Sequence, residues 1–596
     1  MSSCVIMLIA AVRERASMAI SNKYTVSILY PNVECEYKTM TSTTSHDLGL
    51  DAITKTVTQD PKEQQQFMRI LEKMTTSGEV ARYRLDVFED VLMLPDMRTR
   101  LLDLMGQIDY LKEYGTWRKS SGDKPGLWDL LHRLDEIGSY ITCVDQMRDC
   151  LGDAKIRSQG LKDLKKYMDD LYNDSCFAQM KKDIIELKEV SKDVRSVTVG
   201  INVNERFEAE SMGLISINSK PFEKSGILGN FADAISNKDN IKNDTEWDGE
   251  MRYEQVDSSE FGNIGEFIEK TGKGILMQST LVDANTRKGM AQATMAQVPD
   301  GDGVGSSTAY LSNTAGRMIG LIVKKLRNTL ASYTDISIST ISKLIPELIY
   351  YIRFAEFIEN AKNKNMHFAK PDVSSDVLMD AKGLYNLKLA ATHDSGDDIV
   401  DNDLSFSPEK TIYILTGANR GGKTTLTQAI GLLFALAQGG IFVPCSSFAF
   451  TPVDMIYTHF PADEDKTMDL GRLGEECVRF REIYEGSTES SLILLNESFS
   501  TTSFEEGYYI AVDVIKAIAD KCTRTIYNTH MHKIAEGIAM FNEGRTKGKA
   551  SSIIMASGDG KRSFKVVEAP PEGDSYARDI AQNYGVTYEM LTGDNK

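Results

Sequence analysis

Gly417-Ala418-Asn419-Arg420-Gly421-Gly422-Lys423-Thr424 meets every fixed position of G-x-x-x-x-G-K-[ST], and no other stretch constrains this chain as strongly. It follows the apolar, β-rich run 411–416 and opens the helical run 425–437, the strand, loop and helix order in which such a pattern holds phosphate. Gly417, Gly421 and Gly422 let backbone N–H groups converge on phosphate oxygens at a helix N-terminus, where the helix dipole favours anions. Lys423 is placed to reach the β- and γ-phosphates and Thr424 to hold Mg²⁺. A nucleoside triphosphate is the expected ligand.

Two later strand ends extend this site. The apolar run 491–495 ends in Asn496 and Glu497. A buried parallel strand delivers such residues to the phosphate edge of a sheet, the first to support Mg²⁺ and the second to polarise the attacking water. Asn496 brings no negative charge to the first role, although its carbonyl can order a metal-bound water. Glu497 keeps the place of the general base. The run 525–528 leads into Thr529 and His530, a position from which an imidazole can sense the γ-phosphate.

Composition narrows the setting. A formal net charge of −18 argues against non-specific nucleic-acid binding over the whole surface, but not against a local basic groove. The eight cysteines are scattered with no C-x-x-C, as expected of reduced thiols in a cytoplasmic protein without structural zinc. No apolar run approaches the length of about 18 residues that a membrane span requires. The apolar stretch 5–11 is followed, not preceded, by Arg13 and Arg15, the reverse of a signal peptide, and Met18 is an alternative start. The Gly/Asp loop 298–305 lacks the terminal Glu of a calcium loop and reads as a connection.

Residues 24–30 read as extended. Phe67, Ile70, Leu71 and Met74 then recur at helical spacing, and further helical runs reach Met93 and cover 101–114, 127–150 and 161–194. β-branched alternation at 196–202 and 213–218 predicts a hairpin. Helix resumes over 310–363 with the stripe Ile341, Leu344, Ile345, Leu348 and Ile352, and Pro346 inside it predicts a kink or break. Lys324, Lys325 and Arg327 read as a solvated face. The expected division is an N-terminal extension (1–23), a helical region (24–195), a small β or irregular insertion (196–309), a helical return (310–380) and the nucleotide domain (381–596).

Together the motifs resemble those of the MutS family of DNA mismatch-repair ATPases, in the wider ABC class. The run 416–425 is similar to T-G-P-N-M-G-G-K-[ST]-T, which adds Asn419 and Thr425 to the phosphate set. Residues 441–444 resemble the F-V-P segment, Asn496-Glu497 with Thr501 and Thr502 the D-E-x-x-x-G-T segment, and Thr529-His530 the T-H pair. The run 574–586 looks like the segment that closes the ATPase domain. The resemblance implies a multidomain α and α/β chain, with a long helical core and lever region followed by a C-terminal ABC-type P-loop ATPase domain. It also implies ATP and Mg²⁺ as cofactors, a homodimer and DNA as partner, with no membrane. Gly471 and Arg472 stand in the signature loop that meets the partner's γ-phosphate, with Gly471 where the family has Ser. Ile399 stands where an aromatic often covers adenine.

Family members that repair mismatches begin with a reading domain bearing a Phe-x-Glu wedge. Phe354-Ala355-Glu356 and Phe541-Asn542-Glu543 match it only by chance, so a shortened paralogue that reads distorted or branched DNA by shape is expected. The alternative is a nucleotide-gated protein-interaction module with slow or absent hydrolysis, favoured by Asn496, Gly471 and the acidic charge. A metabolic kinase fits the order of the motifs poorly.

Overall fold

Capping side chains set many helix boundaries in the computed structural model. It describes residues 26–115, 127–191, 196–203, 209–218, 254–256, 339–417, 421–461, 471–558, 561–571 and 584–592, with a few single positions between them. Strand β1 (Lys38–Thr39) precedes α1 (Ser42–Leu48), which starts where the Thr41 hydroxyl accepts from Thr44 N–H. After α2 (Leu50–Val57), Asp60 caps α3 (Pro61–Leu71), with proline in the first turn where its missing N–H costs nothing. Strand β2 (Lys73–Met74) pairs antiparallel with β1, and Ser77 caps α4 (Gly78–Met93). Helices α5 (Pro95–Gly115), α6 (Leu127–Asp153), α7 (Gln159–Asn173) and α8 (Ser175–Ser191) follow. Next come β3 (Ser196–Val203), β4 (Ala209–Asn218), β5 (Glu254–Val256) and α9 (Ser339–Lys362).

Several of these elements correct the expectations from periodicity. The helix expected through Met74 stops at Leu71; Met74 is buried all the same, from a strand. The helix expected over 161–194 breaks at Asp174, whose carboxylate accepts from Phe177 N–H at 3.4 Å and so starts α8. The segment expected to be extended bends at residues 28–30: the Glu347 carboxylate accepts from Ser27 Oγ, Ile28 N and Leu29 N at 2.8, 2.8 and 3.3 Å and gathers the segment around itself. Helix α9 runs through Pro346 without a break. Leu344, Ile345, Leu348 and Ile352 are all buried on either side, and that burial outweighs the roughly 3 kcal/mol an interior proline costs. Phe354 and Phe541, of the two Phe-x-Glu matches, are both buried. The hairpin forms as β3 against β4, and Lys324, Lys325, Arg327 and the loop 298–305 lie outside the described residues.

The chain divides into two units. One takes in the described parts of Leu104–Arg148 and Met168–Thr340, including the three-stranded antiparallel sheet β3-β4-β5. The other takes in Val26–Asp103, Asp149–Tyr167 and the described parts of Ile341–Lys596. Here β6 (Asp372–Val373), β7 (Met379–Leu384), the one-turn α10 (Leu387–Ala390) and β8 (Asn402–Phe406) lead to β9 (Lys410–Thr416) and α11 (Lys423–Gln438). They are followed by β10 (Ser447–Phe450), β11 (Ile456–His459), α12 (Gly471–Gly486), β12 (Leu492–Asn496), α13 (Phe504–Lys521) and β13 (Arg524–Asn528). The last elements are α14 (His532–Glu536), α15 (Ile538–Asn542), β14 (Lys549–Gly558), β15 (Lys561–Glu568) and α16 (Tyr588–Thr592). A six-stranded sheet has the order β11-β12-β13-β9-β14-β15, parallel except for β15. Its inner strands are buried along their length, which is why they read as nearly unbroken apolar runs. A second sheet has the order β6-β10-β7-β8. Among the described residues no helix is long and apolar enough to cross a membrane.

Helix α11 is buried almost all round because the N-terminal helices cover the side that the sheet leaves open. At Gly431 an added Cβ would lie 2.4 Å from the Leu48 side chain of α1 and 2.8 Å from that of Leu494 of β12, so a larger residue here would have to push both methyls aside. The far end of α11 is anchored by Arg84 of α4, which is fully buried. Its Nε donates to Leu29 O and its Nη1 to Gln438 O, both at 2.7 Å, while Tyr350 of α9 donates to Gly439 O at 3.0 Å. A guanidinium at a helix C-terminus meets the negative end of its dipole. Replacing Arg84 by Ala should destabilise the protein by about 2–4 kcal/mol, because it opens a cavity and strips two buried carbonyls of their donor. The check is a lower urea midpoint with an unchanged slope.

Candidate functional site

The loop after β9 leaves the centre of the six-stranded sheet, and Gly422, at φ +92°, turns it into the first turn of α11. No side chain caps this helix, so its first N–H groups are open to an anion. Lys423 is the first helical residue and is buried. Its Nζ donates to Gly417 O at 2.8 Å and lies 3.9 Å from Glu497 Oε1. Burial holds its ammonium below the usual lysine range, against the opposing pull of Glu497. Thr424 Oγ1 donates to Asn496 Oδ1 at 3.0 Å. Asn419 lies outside the described residues.

Strands β12 and β13 run in parallel register with Asn496 opposite Asn528. Asn528 Nδ2 donates to Asn496 Oδ1 and lies 3.4 Å from Thr424 Oγ1, while the buried Asn528 Oδ1 has no partner. Glu497 follows in the left-handed region at φ +53°, its N–H donating to Asn528 O at 2.9 Å. Its Oε2 accepts from His530 N at 3.2 Å and lies 2.5 Å from His530 Nδ1.

That contact with the Glu497 carboxylate raises the His530 pKa above its usual value, with burial opposing. A raised folded pKa means that the pair stabilises the fold fully below the unfolded value of about 6.5 and loses its effect as pH rises through the folded pKa. The stability difference between the wild type and His530→Asn should therefore be largest near pH 6 and shrink towards pH 9, as read by thermal denaturation.

The loop after Glu497 is tied to α12. Phe499, at φ +63°, donates its N–H to the Glu476 carboxylate of that helix. His459, at the end of β11, is buried, and desolvation together with Arg479 pushes its pKa down to about 4. The neutral ring donates from Nε2 to Glu476 O at 3.1 Å and accepts at Nδ1 from Ser498 Oγ at 2.7 Å. A displacement of α12 would thus reach Glu497 within two residues. Gly471, at φ +68°, and Arg472 open α12 and do not line the cavity beside residues 421–425.

That cavity, of about 650 Å³, is lined by residues 421–425 and Glu497. Tyr385, Asn386, His393, Ile399, Val400 and Phe564 line the same cavity. Ile399 thus lines the same cavity as the P-loop. Phe564 is marked by no motif; it sits at φ +55° with its carbonyl accepting from Asn402 Nδ2 at 3.2 Å, and its ring meets the P-loop at Gly422. Asn386 Nδ2 donates to Thr425 O at 2.8 Å and joins α10 to the P-loop helix. A helix-capping asparagine and an aromatic in a β-hairpin are too common for either to be picked out beforehand.

Among the described residues no group of three or more His, Cys, Asp or Glu side chains could hold a metal ion. The neutral oxygens of Thr424 and Asn496 suit Mg²⁺ only where phosphate oxygens and water complete its shell.

Residues 413–586 match the family model for MutS domain V, and residues 76–363 match that for the MutS2 N-terminal domain. The chain is 31% identical to the DNA mismatch repair protein MutS of Caldanaerobacter subterraneus subsp. tengcongensis over 263 residues, 43% of this chain and 28% of that protein. It is 28% identical to the MutS of Staphylococcus epidermidis over 211 residues, 35% and 23% of the two chains. With the MutS of Rickettsia prowazekii it shares 27% over 295 residues, 48% and 31% of the two. The chain therefore spans less than a third of the length of these relatives.

Proposed function

Because the chain belongs to the MutS family, we propose that it is an ATP-driven, DNA-binding switch of the mismatch-repair type that works as a cytoplasmic homodimer. The observation that carries this reading is the meeting of Lys423 and Thr424 from α11, Asn496 and Glu497 after β12, and His530 after β13 at one edge of the parallel sheet. The N–H groups of residues 421–425 hold the phosphates, and Lys423 exchanges Gly417 O for their oxygens. Ile399 and Phe564 cover the two sides of the base. Thr424 and Asn496 hold Mg²⁺, which when bound neutralises charge on the phosphate oxygens. Glu497 takes the proton of the attacking water, and His530, released from Glu497, donates to the γ-phosphate. Gly471 and Arg472 approach the partner's nucleotide, so closure of the dimer moves α12 and, through Glu476, the loop that carries Glu497.

Binding to homoduplex, mismatched and branched DNA, with and without ATP, tests this reading. Nucleotide-dependent binding to distorted DNA is the expected result, and no binding to any of the three overturns it. A second reading, a nucleotide-gated module acting on a protein partner, is favoured by the amide at Asn496 where a carboxylate would assist turnover. Absent hydrolysis together with absent DNA binding would select it.

A further inference from the structure

An amide has one oxygen side and one nitrogen side, and only the oxygen can serve the shell of a divalent cation. Asn496 therefore suits the metal position only while its Oδ1 faces Thr424. The fully buried Asn528 meets that need from the neighbouring strand: parallel register sets the two residues opposite one another, and Asn528 Nδ2 donates to Asn496 Oδ1. Were Asn496 alone to turn over, its NH₂ would face the NH₂ of Asn528, and the Thr424 hydroxyl would be the oxygen left to accept from both. The Asn528 Oδ1 is left as a buried acceptor without a partner, a feature native interiors rarely hold without a water or ligand to use it.

Building on the reading of this cavity as an ATP·Mg²⁺ site, we infer that Asn528 is a positioning residue that makes Asn496 an oxygen donor. The Asn496 oxygen, held in place by Asn528, then serves Mg²⁺ where a single carboxylate would otherwise stand. A carboxylate has two equivalent oxygens and needs no such partner.

The test measures the affinity of the full-length chain for ATPγS in EDTA and in saturating Mg²⁺. In the wild type Mg²⁺ tightens binding. Asn528→Ala keeps the EDTA affinity and loses about tenfold or more of the gain from Mg²⁺, the size expected when an outer-shell partner of a metal is removed. Adding Asn496→Asp to Asn528→Ala restores the gain, a rescue that a merely structural role for Asn528 would not produce. Asn528→Leu, which preserves volume, takes the place of the alanine variant if that protein fails to bind in EDTA. The full gain persisting in the Asn528 variants, no rescue by Asn496→Asp, or a wild type indifferent to Mg²⁺ overturns the inference. A wild type that does not bind ATPγS in either condition overturns instead the ATP-site reading on which it rests.

Discussion

Glu497→Gln is expected to lower ATP turnover by roughly 10²–10⁴-fold, the usual contribution of a positioned general base, while leaving ATP affinity close to that of the wild type. The substitution keeps the shape of the side chain and removes its ability to take a proton. Two of its contacts change with the charge: the approach of Lys423 Nζ, at 3.9 Å, and the link to His530 Nδ1. Neither is a phosphate contact, so the loss should fall on kcat and not on binding. Single-turnover measurements with saturating ATP separate the two, and turnover that survives at the wild-type rate removes Glu497 from the role of base. If the wild type itself turns over slowly, as Asn496 suggests, the same experiment sets the floor against which Asn496→Asp can be read.

Lys423→Ala should cost about 2–5 kcal/mol of ATP affinity, the range seen when one member of a buried, hydrogen-bonded charge pair is removed. The ammonium is already desolvated before the ligand arrives, with burial lowering its pKa. Phosphate oxygens would replace Gly417 O at little further desolvation cost. The variant should still fold, because α11 is held along its length by Leu48, Arg84, Tyr350 and the sheet. Equilibrium titration with a fluorescent ATP analogue, with a denaturation curve as control, reads both quantities. Unchanged affinity would move the phosphates away from Lys423.

The sequence shows the P-loop end of the chain more clearly than the helical end, for a physical reason. A phosphate loop needs glycines, a lysine and a hydroxyl at fixed separations along one short segment, and those separations survive in the linear order. The ends of β12 and β13 are legible for the same reason, since a buried parallel strand is a short apolar run and its last residues stand at the P-loop edge of the sheet. Helix ends are less so: the break at Asp174 depends on one capping carboxylate, and the bends at residues 28–30 depend on Glu347, far away along the chain. The continuity of α9 through Pro346 rests on tertiary burial, which local propensity does not report.

The linear order alone therefore determined the P-loop, the Asn496-Glu497 and Thr529-His530 strand ends, and the family they belong to. Only the tertiary structure decided that the N-terminal helices enclose α11, that Phe564 reaches the P-loop from a distant hairpin, and that Asn528 stands beside Asn496. The first set consists of contacts made by neighbours along the chain. The second set is made across strands and between helices, where sheet register and close packing choose the partner and residue type alone does not.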